Sequence, residues 1–233
     1  MNERELLIEG LERCAPDYPP QAVDNLLSFS ERLREANLHM NLTAITEPNE
    51  IVTRHFLDCA VLAPMLPQGA RVLDLGTGAG FPGVPLAVLT GAEFTLLDAQ
   101  RKRVDFLNET LAALGIKNAR AVHARAEEFA AENRESFDFV TSRAVAELNQ
   151  LCELALPLLR MGGVFLAMKA ADCEQETENA LNAAKVLGSA PPEIIRLRPP
   201  FSEAERAVVR MEKIAPTPAA YPRRFAKIRS KPL

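Results

Sequence analysis

Over the first sixty positions, hydrophobic residues recur every three or four places. They are Leu6, Leu7 and Leu11, then Val23, Leu26, Leu27, Phe29 and Leu33, with charged residues between them. That spacing puts the apolar side chains on one helical face, so two amphipathic helices are predicted, interrupted where Pro16, Pro19 and Pro20 break the pattern. A polar loop from Asn41 to Thr46 follows, and a third helix is predicted from about Asn49 through Ile51, His55, Phe56 and Val61. From Arg71 to about Lys169 the period changes. Short β-rich runs at Val72–Leu75, Phe94–Leu97, Ala119–Val122, Phe137–Thr141 and Val164–Met168 alternate with helical stretches at about 83–89, 102–114, 124–131 and 148–159. Such alternation builds a parallel sheet covered on both faces by right-handed crossovers. A helix around 174–187 precedes two further runs, Glu193–Leu197 and Ala207–Met211. The segment between them, with Pro199 and Pro200, is too short for a crossover helix, so the pair is predicted to form an antiparallel hairpin at one sheet edge.

An α/β sheet of seven strands, five parallel with a C-terminal antiparallel hairpin edge, resembles the Rossmann-like class I methyltransferases that depend on S-adenosylmethionine (SAM). The expected organisation is an N-terminal helical cap over 1–65, a methyltransferase domain over 66–220 and a basic tail over 221–233. With 48% hydrophobic and 25% charged residues in 233, the composition is that of a globular chain, not a disordered or fibrous one. The formal net charge of −4 excludes nucleic-acid binding by bulk positive charge, so a nucleic-acid partner must meet a local basic patch. The tail supplies one: Arg223, Arg224, Lys227, Arg229 and Lys231 stand there without an acidic residue. Arg223, Arg224 and Lys227 are candidate RNA phosphate contacts, the alternative being a solvated terminus.

No run approaches 18 uninterrupted apolar residues, and the start Met-Asn-Glu-Arg-Glu lacks the pattern of a secretory signal, so a cytoplasmic protein without a membrane partner is expected. Cys14, Cys59, Cys152 and Cys173 form no C-x-x-C pair and His39, His55 and His123 are scattered, so reduced thiols and no metal are expected.

The sharpest motif is Asp74-Leu-Gly76-Thr-Gly78-Ala-Gly80-Phe-Pro-Gly83, where a strand passes into a helix. Glycines there let the backbone turn tightly and approach a ligand, while the helix start presents free N–H groups. Two ligands compete, because Gly78-x-Gly80-x-x-Gly83 also fits the dinucleotide pattern and Asp98 lies 20 residues past Gly78. SAM is favoured over NAD on three grounds. Asp74 can hold the cationic amino end of a methionine but would repel a pyrophosphate, Pro82 removes an N–H that a phosphate would use, and the sheet ends in a hairpin. Asp98 suits a ribose diol, with a helix N-cap as the alternative role. Ala126 and Glu127 follow the third strand, where they border an adenine; a solvated Glu127 is the other reading.

After the fourth strand comes Thr141-Ser-Arg143-Ala144, on the acceptor side of such a sheet. No Asn/Asp-Pro-Pro-aromatic run and no Pro-Cys pair occur, so neither adenine amino methylation nor covalent attack on cytosine is supported. An acceptor that is already nucleophilic remains, and guanine N7 is one: it needs alignment more than a general base. Arg143 fits guanine O6 or a phosphate, or else an ion pair with Asp74 or Glu147.

The runs Asn41–Ile45, Arg54–Asp58, Asp74–Pro85, Lys102–Leu107, Ser142–Ala146 and Tyr221–Arg224 together resemble the bacterial small-subunit rRNA guanine-N7 methyltransferase family, RsmG or GidB, over essentially the whole chain. The resemblance implies methyl transfer from SAM to N7 of one guanosine in 16S rRNA of the small ribosomal subunit. It puts Gly76, Phe81, Ala126, Glu127 and Arg143 on SAM-binding positions and Asp98 on the ribose-contacting acid, with no agreed general base. Cys59, Ala170 and the tail depart from the usual family pattern. The competing readings are a SAM-binding regulatory protein without transferase activity, a NAD-dependent oxidoreductase and a small-molecule methyltransferase.

Overall fold

The five predicted parallel strands form the body of a seven-stranded sheet, ordered β3-β2-β1-β4-β5-β7-β6, in a computed structural model that describes all 233 residues. Before the sheet come α1 (Glu3–Cys14), α2 (Ala22–Met40) and a composite helix. In the composite helix, α3 (Pro48–Ile51) passes through one π-helical turn (Val52–Phe56) into α4 (Leu57–Ala60). The alternating part runs β1 (Arg71–Leu75), α5 (Gly83–Leu89), β2 (Glu93–Asp98), α6 (Arg101–Ala113), β3 (Ala119–His123), α7 (Ala126–Glu132) and β4 (Phe137–Arg143). It continues through α8 (Leu148–Ala155), β5 (Leu159–Ala170), α9 (Glu174–Asn179), α10 (Leu181–Leu187), β6 (Glu193–Leu197), β7 (Arg206–Glu212) and α11 (Phe225–Ser230).

β1 to β5 pair in parallel, while β7 lies antiparallel between β5 and β6. The hairpin edge is therefore present, with its second strand innermost. α1 begins with a capping box, Asn2 Oδ1 accepting the Glu5 N–H at 2.9 Å and Glu5 Oε2 accepting the Asn2 N–H at 3.1 Å. α8 stops short of its predicted end because Pro157 cannot donate, and a 3-10 turn over Leu156–Leu158 delivers the chain into β5 five residues earlier than its apolar run begins. The helix predicted over 174–187 is two helices meeting at Ala180.

Strand alternation divides the interior into two cores. Val72, Leu96 and Leu166 face α1, α2, the composite helix, α5 and α6, where Leu7, Leu26, Phe29 and Phe56 are fully buried. Leu73, Leu75, Leu97 and Phe165 face α7, α8 and α10, with Leu151, Leu187 and, from the tail, Ile228. The cap thus shares one continuous core with the sheet. Phe29, packed 5.8 Å from Phe56 and 5.6 Å from Phe81 between ring centroids, is one of the side chains joining them, and truncating such a residue costs about 3–5 kcal/mol.

Candidate functional site

Asp74, Asp98, Ala126 with Glu127, and Arg143 come from four different strand–helix junctions, yet all lie at the carboxyl ends of parallel strands, where open α/β sheets bind ligands. The loop after β1 is pinned from below: Gly76 and Thr77 donate to the Leu97 carbonyl at 2.9 and 3.0 Å, and Gly80 and Phe81 donate to the Thr77 carbonyl, each at 2.9 Å. Gly76 and Gly78 hold φ of +71° and +59°, which side-chain-bearing residues rarely adopt. A Cβ on Gly76 would lie 2.8 Å from Val145, whereas one on Gly78 would meet only the Gly76 carbonyl at 3.9 Å. No side chain therefore occupies the space beside Gly78.

Asp74 is fully buried, and its Oδ2 accepts the Gly83 N–H at 2.8 Å at the start of α5. Its Oδ1 has no hydrogen-bond partner. Burial pushes its pKa up to about 6, against the nearby Thr77 hydroxyl, the Gly83 amide and the Arg143 charge, which favour the ionised form. The carboxylate faces the helix start, with one oxygen left over. Asp98 Oδ2 accepts the Gly78 N–H at 3.0 Å, Oδ1 accepts the Gln100 N–H at 2.8 Å, and the Arg103 guanidinium stands 3.5 Å away. It shapes the loop and retains lone pairs for a diol. The N-cap of α6 is Gln100, not Asp98. Ala126 and Glu127 open α7 half-buried, and the Ala124 N–H to the Asp98 carbonyl ties that junction to β2. Glycine backbone, an acid at the end of β2 and a carboxylate oxygen left over at Asp74 fit the amino-acid and nucleoside halves of SAM.

Arg143 pairs with neither Asp74 nor Glu147. Its NH1 donates to Asp58 Oδ2 at 3.2 Å, its NH2 donates to His55 Nδ1 at 3.1 Å, and its guanidinium lies 4.7 Å from the Phe81 ring centre. Phe81 also stacks on His55 at 4.4 Å, so its side chain, 5% exposed, packs into the cap. Because Arg143 only donates, His55 Nδ1 accepts and the ring proton sits on Nε2, 2.9 Å from the Thr43 hydroxyl. Burial and the neighbouring Arg143 charge hold His55 down at about 3, so the imidazole is neutral. Asp58 Oδ1 also accepts from Arg206 Nε at 2.7 Å. Sequence reasoning missed Thr43, His55, Asp58 and Arg206 as members of this cluster. The i, i+3 polar pair His55 and Asp58 within an apolar helical run was the available signal; nothing in the sequence pointed to Arg206.

Arg223 is corrected as well. Its N–H and Nε donate to Glu153 Oε1, both at 2.8 Å, and its NH2 donates to Oε2 at 2.6 Å, on a carboxylate with no exposure at all. The guanidinium is thus engaged in docking the tail onto α8, since a buried carboxylate demands a partner. Arg224 and Lys227 remain exposed, and α11 is an ordered helix anchored by Ile228. A groove of about 800 Å³ between the tail and α7 is lined by Arg125, Glu127, Arg224 and Arg229 among others. A polar groove of about 730 Å³ lies at the opposite edge, among the starts of β1, β2 and β3, away from every predicted site residue. All four cysteines are free; burial pushes Cys59 and Cys152 up to about 12, so neither is a thiolate nucleophile at neutral pH. No cluster of three or more His, Cys, Asp or Glu side chains is arranged to hold a metal ion, and no helix is long and apolar enough to cross a membrane.

Seven strands in this order, with a glycine loop after β1 and an acid at the end of β2, define a class I SAM-dependent methyltransferase. The fold is shared with a SAM-dependent O-methyltransferase from Thermotoga maritima (TM-score 0.54, 16% identity, 80% of this chain and 72% of that one). It is shared too with M. jannaschii TYW2, solved in complex with AdoMet (TM-score 0.54, 17% identity, 66% and 73% covered). Residues 22–200 match the family model GidB, rRNA small subunit methyltransferase G, and the chain belongs to that family. Proteins named ribosomal RNA small subunit methyltransferase G are similar to it along its length. That of Alkaliphilus metalliredigens is 39% identical over all of both chains, and that of Desulfitobacterium hafniense is 45% identical over 91% of this chain and 89% of its own.

Proposed function

We propose that the protein transfers a methyl group from SAM to N7 of a guanosine in 16S rRNA of the small ribosomal subunit, acting in the cytoplasm. The family match along residues 22–200 carries this reading. SAM, when bound, supplies an electrophilic methyl on a sulfonium: the N7 lone pair forms the new C–N bond as the C–S bond breaks, and sulfur leaves as a neutral thioether. N7 carries no proton, so no base is consumed. The residues beside the acceptor edge agree with that chemistry: His55 is neutral with both ring nitrogens engaged, and Asp58 is held by two arginines.

In this reading Gly76 and Gly78 let the backbone approach the methionine half, with Asp74 below them. Asp98 takes the ribose hydroxyls, and Ala126 with Glu127 borders the adenine. Phe81 supports Arg143, which positions the acceptor. Arg224 and Lys227, not Arg223, form the phosphate-contacting part of the tail. The test is to incubate the protein with methyl-labelled SAM and small subunits from cells lacking the enzyme, then digest the RNA. Label in 7-methylguanosine from 16S rRNA, lost in Gly76→Arg, supports the reading; label in another nucleoside, or none, rejects it.

A further inference from the structure

β7 runs antiparallel to β5, so its first residue, not its last, arrives at the sheet edge where the parallel strands end: Arg206 pairs in register with Ala170, the final residue of β5. There it helps line a cavity of about 250 Å³ with Asp58, Arg143, Met168 and Lys169. The lining is cationic, and most of its charged atoms are already engaged. Lys169 Nζ donates to the Ala146 carbonyl at 2.9 Å and to Glu176 at 2.5 Å; Arg143 is held by Asp58 and His55. Asp58, only 8% exposed, has one oxygen on each arginine. Arg206 differs: Asp58 grips it through Nε alone, and its two terminal nitrogens have no protein partner, on a side chain one-third exposed. A planar fork fixed at its base and free at its tips is preorganised for bidentate contact with an oxyanion.

Resting on the rRNA-methylation reading, we propose that Arg206 clamps the phosphodiester flanking the acceptor nucleotide, and that Asp58 is the positioning residue that aims it. Chemistry favours phosphate over the base. A guanidinium donating to guanine O6 would draw electron density from N7 and repel the cation formed when N7 takes the methyl, whereas a phosphate carries a full negative charge throughout. Geometry agrees, because an extruded base enters a cavity while its backbone stays toward solvent, and Arg206 is the most exposed of the three basic side chains lining this one.

The experiment measures kcat and KM for methylation of small subunits over a range of salt concentrations, with SAM affinity measured by calorimetry in parallel. Arg206→Gln should raise KM by about tenfold, far more than it lowers kcat. It should also reduce the slope of log(kcat/KM) against log salt by roughly 0.7–1, the loss of one phosphate contact, and leave SAM affinity unchanged. Arg206→Lys, which keeps a cation opposite Asp58, should keep the salt slope and show an intermediate KM. Asp58→Asn should raise KM and lower kcat together, since both arginines lose their anchor. An Arg206→Gln enzyme with wild-type KM and salt slope overturns the clamp, as does a loss confined to kcat, which would put Arg206 on the base. A wild-type protein that methylates no subunit rejects the methylation reading instead, so the two failures are distinct.

Discussion

Replacing Arg223 by Ala tests whether the tail is a structural clasp or a free basic arm. The substitution keeps the backbone N–H to Glu153 but deletes both guanidinium hydrogen bonds, leaving Oε2 of a wholly buried carboxylate without a partner. Removing one member of a buried pair costs about 3–5 kcal/mol, and because the Arg223 side chain is 22% exposed, water moderates the loss to the lower end, about 3 kcal/mol. For a chain of 150–250 residues each kcal/mol shifts Tm by about 2–4 °C, so Tm should fall by roughly 6–12 °C. Thermal unfolding followed by circular dichroism reads this directly, and limited proteolysis should cut the tail first. The double substitution Glu153→Gln with Arg223→Ala should recover part of the loss, since no buried charge is then stranded. Arg224→Ala with Lys227→Ala, both exposed, should cost no more than about 1 kcal/mol together and so shift Tm by less than about 4 °C, short of the Arg223→Ala loss. A Tm for Arg223→Ala within about 2 °C of wild type would refute the argument.

Other consequences are equally direct. The Asp74 pKa is raised from 3.8 to about 6, so its protonated form is favoured by the fold. Its contribution to apo stability is full below pH 4 and is lost as pH rises through about 6. SAM affinity should run the other way, weakening below pH 6 as the carboxylate is neutralised; calorimetry from pH 5 to 8 should find this trend in the wild type and a flat profile in Asp74→Asn. Gly78→Ala, at a φ of +59° beside open space, should cost only about 1–2 kcal/mol of stability yet weaken SAM binding at least tenfold; unchanged affinity would remove Gly78 from the site. Because His55 is held near 3, the rate profile should show no inflection from it between pH 6 and 8, and an inflection that vanishes in His55→Asn would contradict the neutral assignment.

The glycine loop, Asp98 and the five parallel strands were legible because each is written locally, as a period, a turn residue or an acid at a fixed spacing. The hairpin was legible as a pair, but its insertion with β7 innermost was not, since strand order depends on edges far apart in the chain. The Asp58–Arg206 pair spans 148 residues and leaves no local trace. The tail was misread for a related reason. A run of basic residues looks the same whether it meets water or a buried acid, and the clue lay elsewhere, in Glu153 standing alone within the apolar stretch from Leu151 to Leu159. Asp74 was recognised as an acid of the loop, but its inward orientation follows from strand alternation, which turns it with Val72 toward α5.

The π-helical turn at Val52–Phe56 closes with the Leu57 N–H on the Val52 carbonyl, which amounts to one extra residue threaded into a helix. Each residue advances an α-helix by about 100°. A substitution that relaxed this turn to regular helix while keeping every residue would swing everything after it by about that angle, carrying Asp58 off both arginines although no side chain of the cluster had been changed. The alignment of cap and sheet at this edge is therefore a matter of rotational phase, set by one surplus residue in the helix backbone.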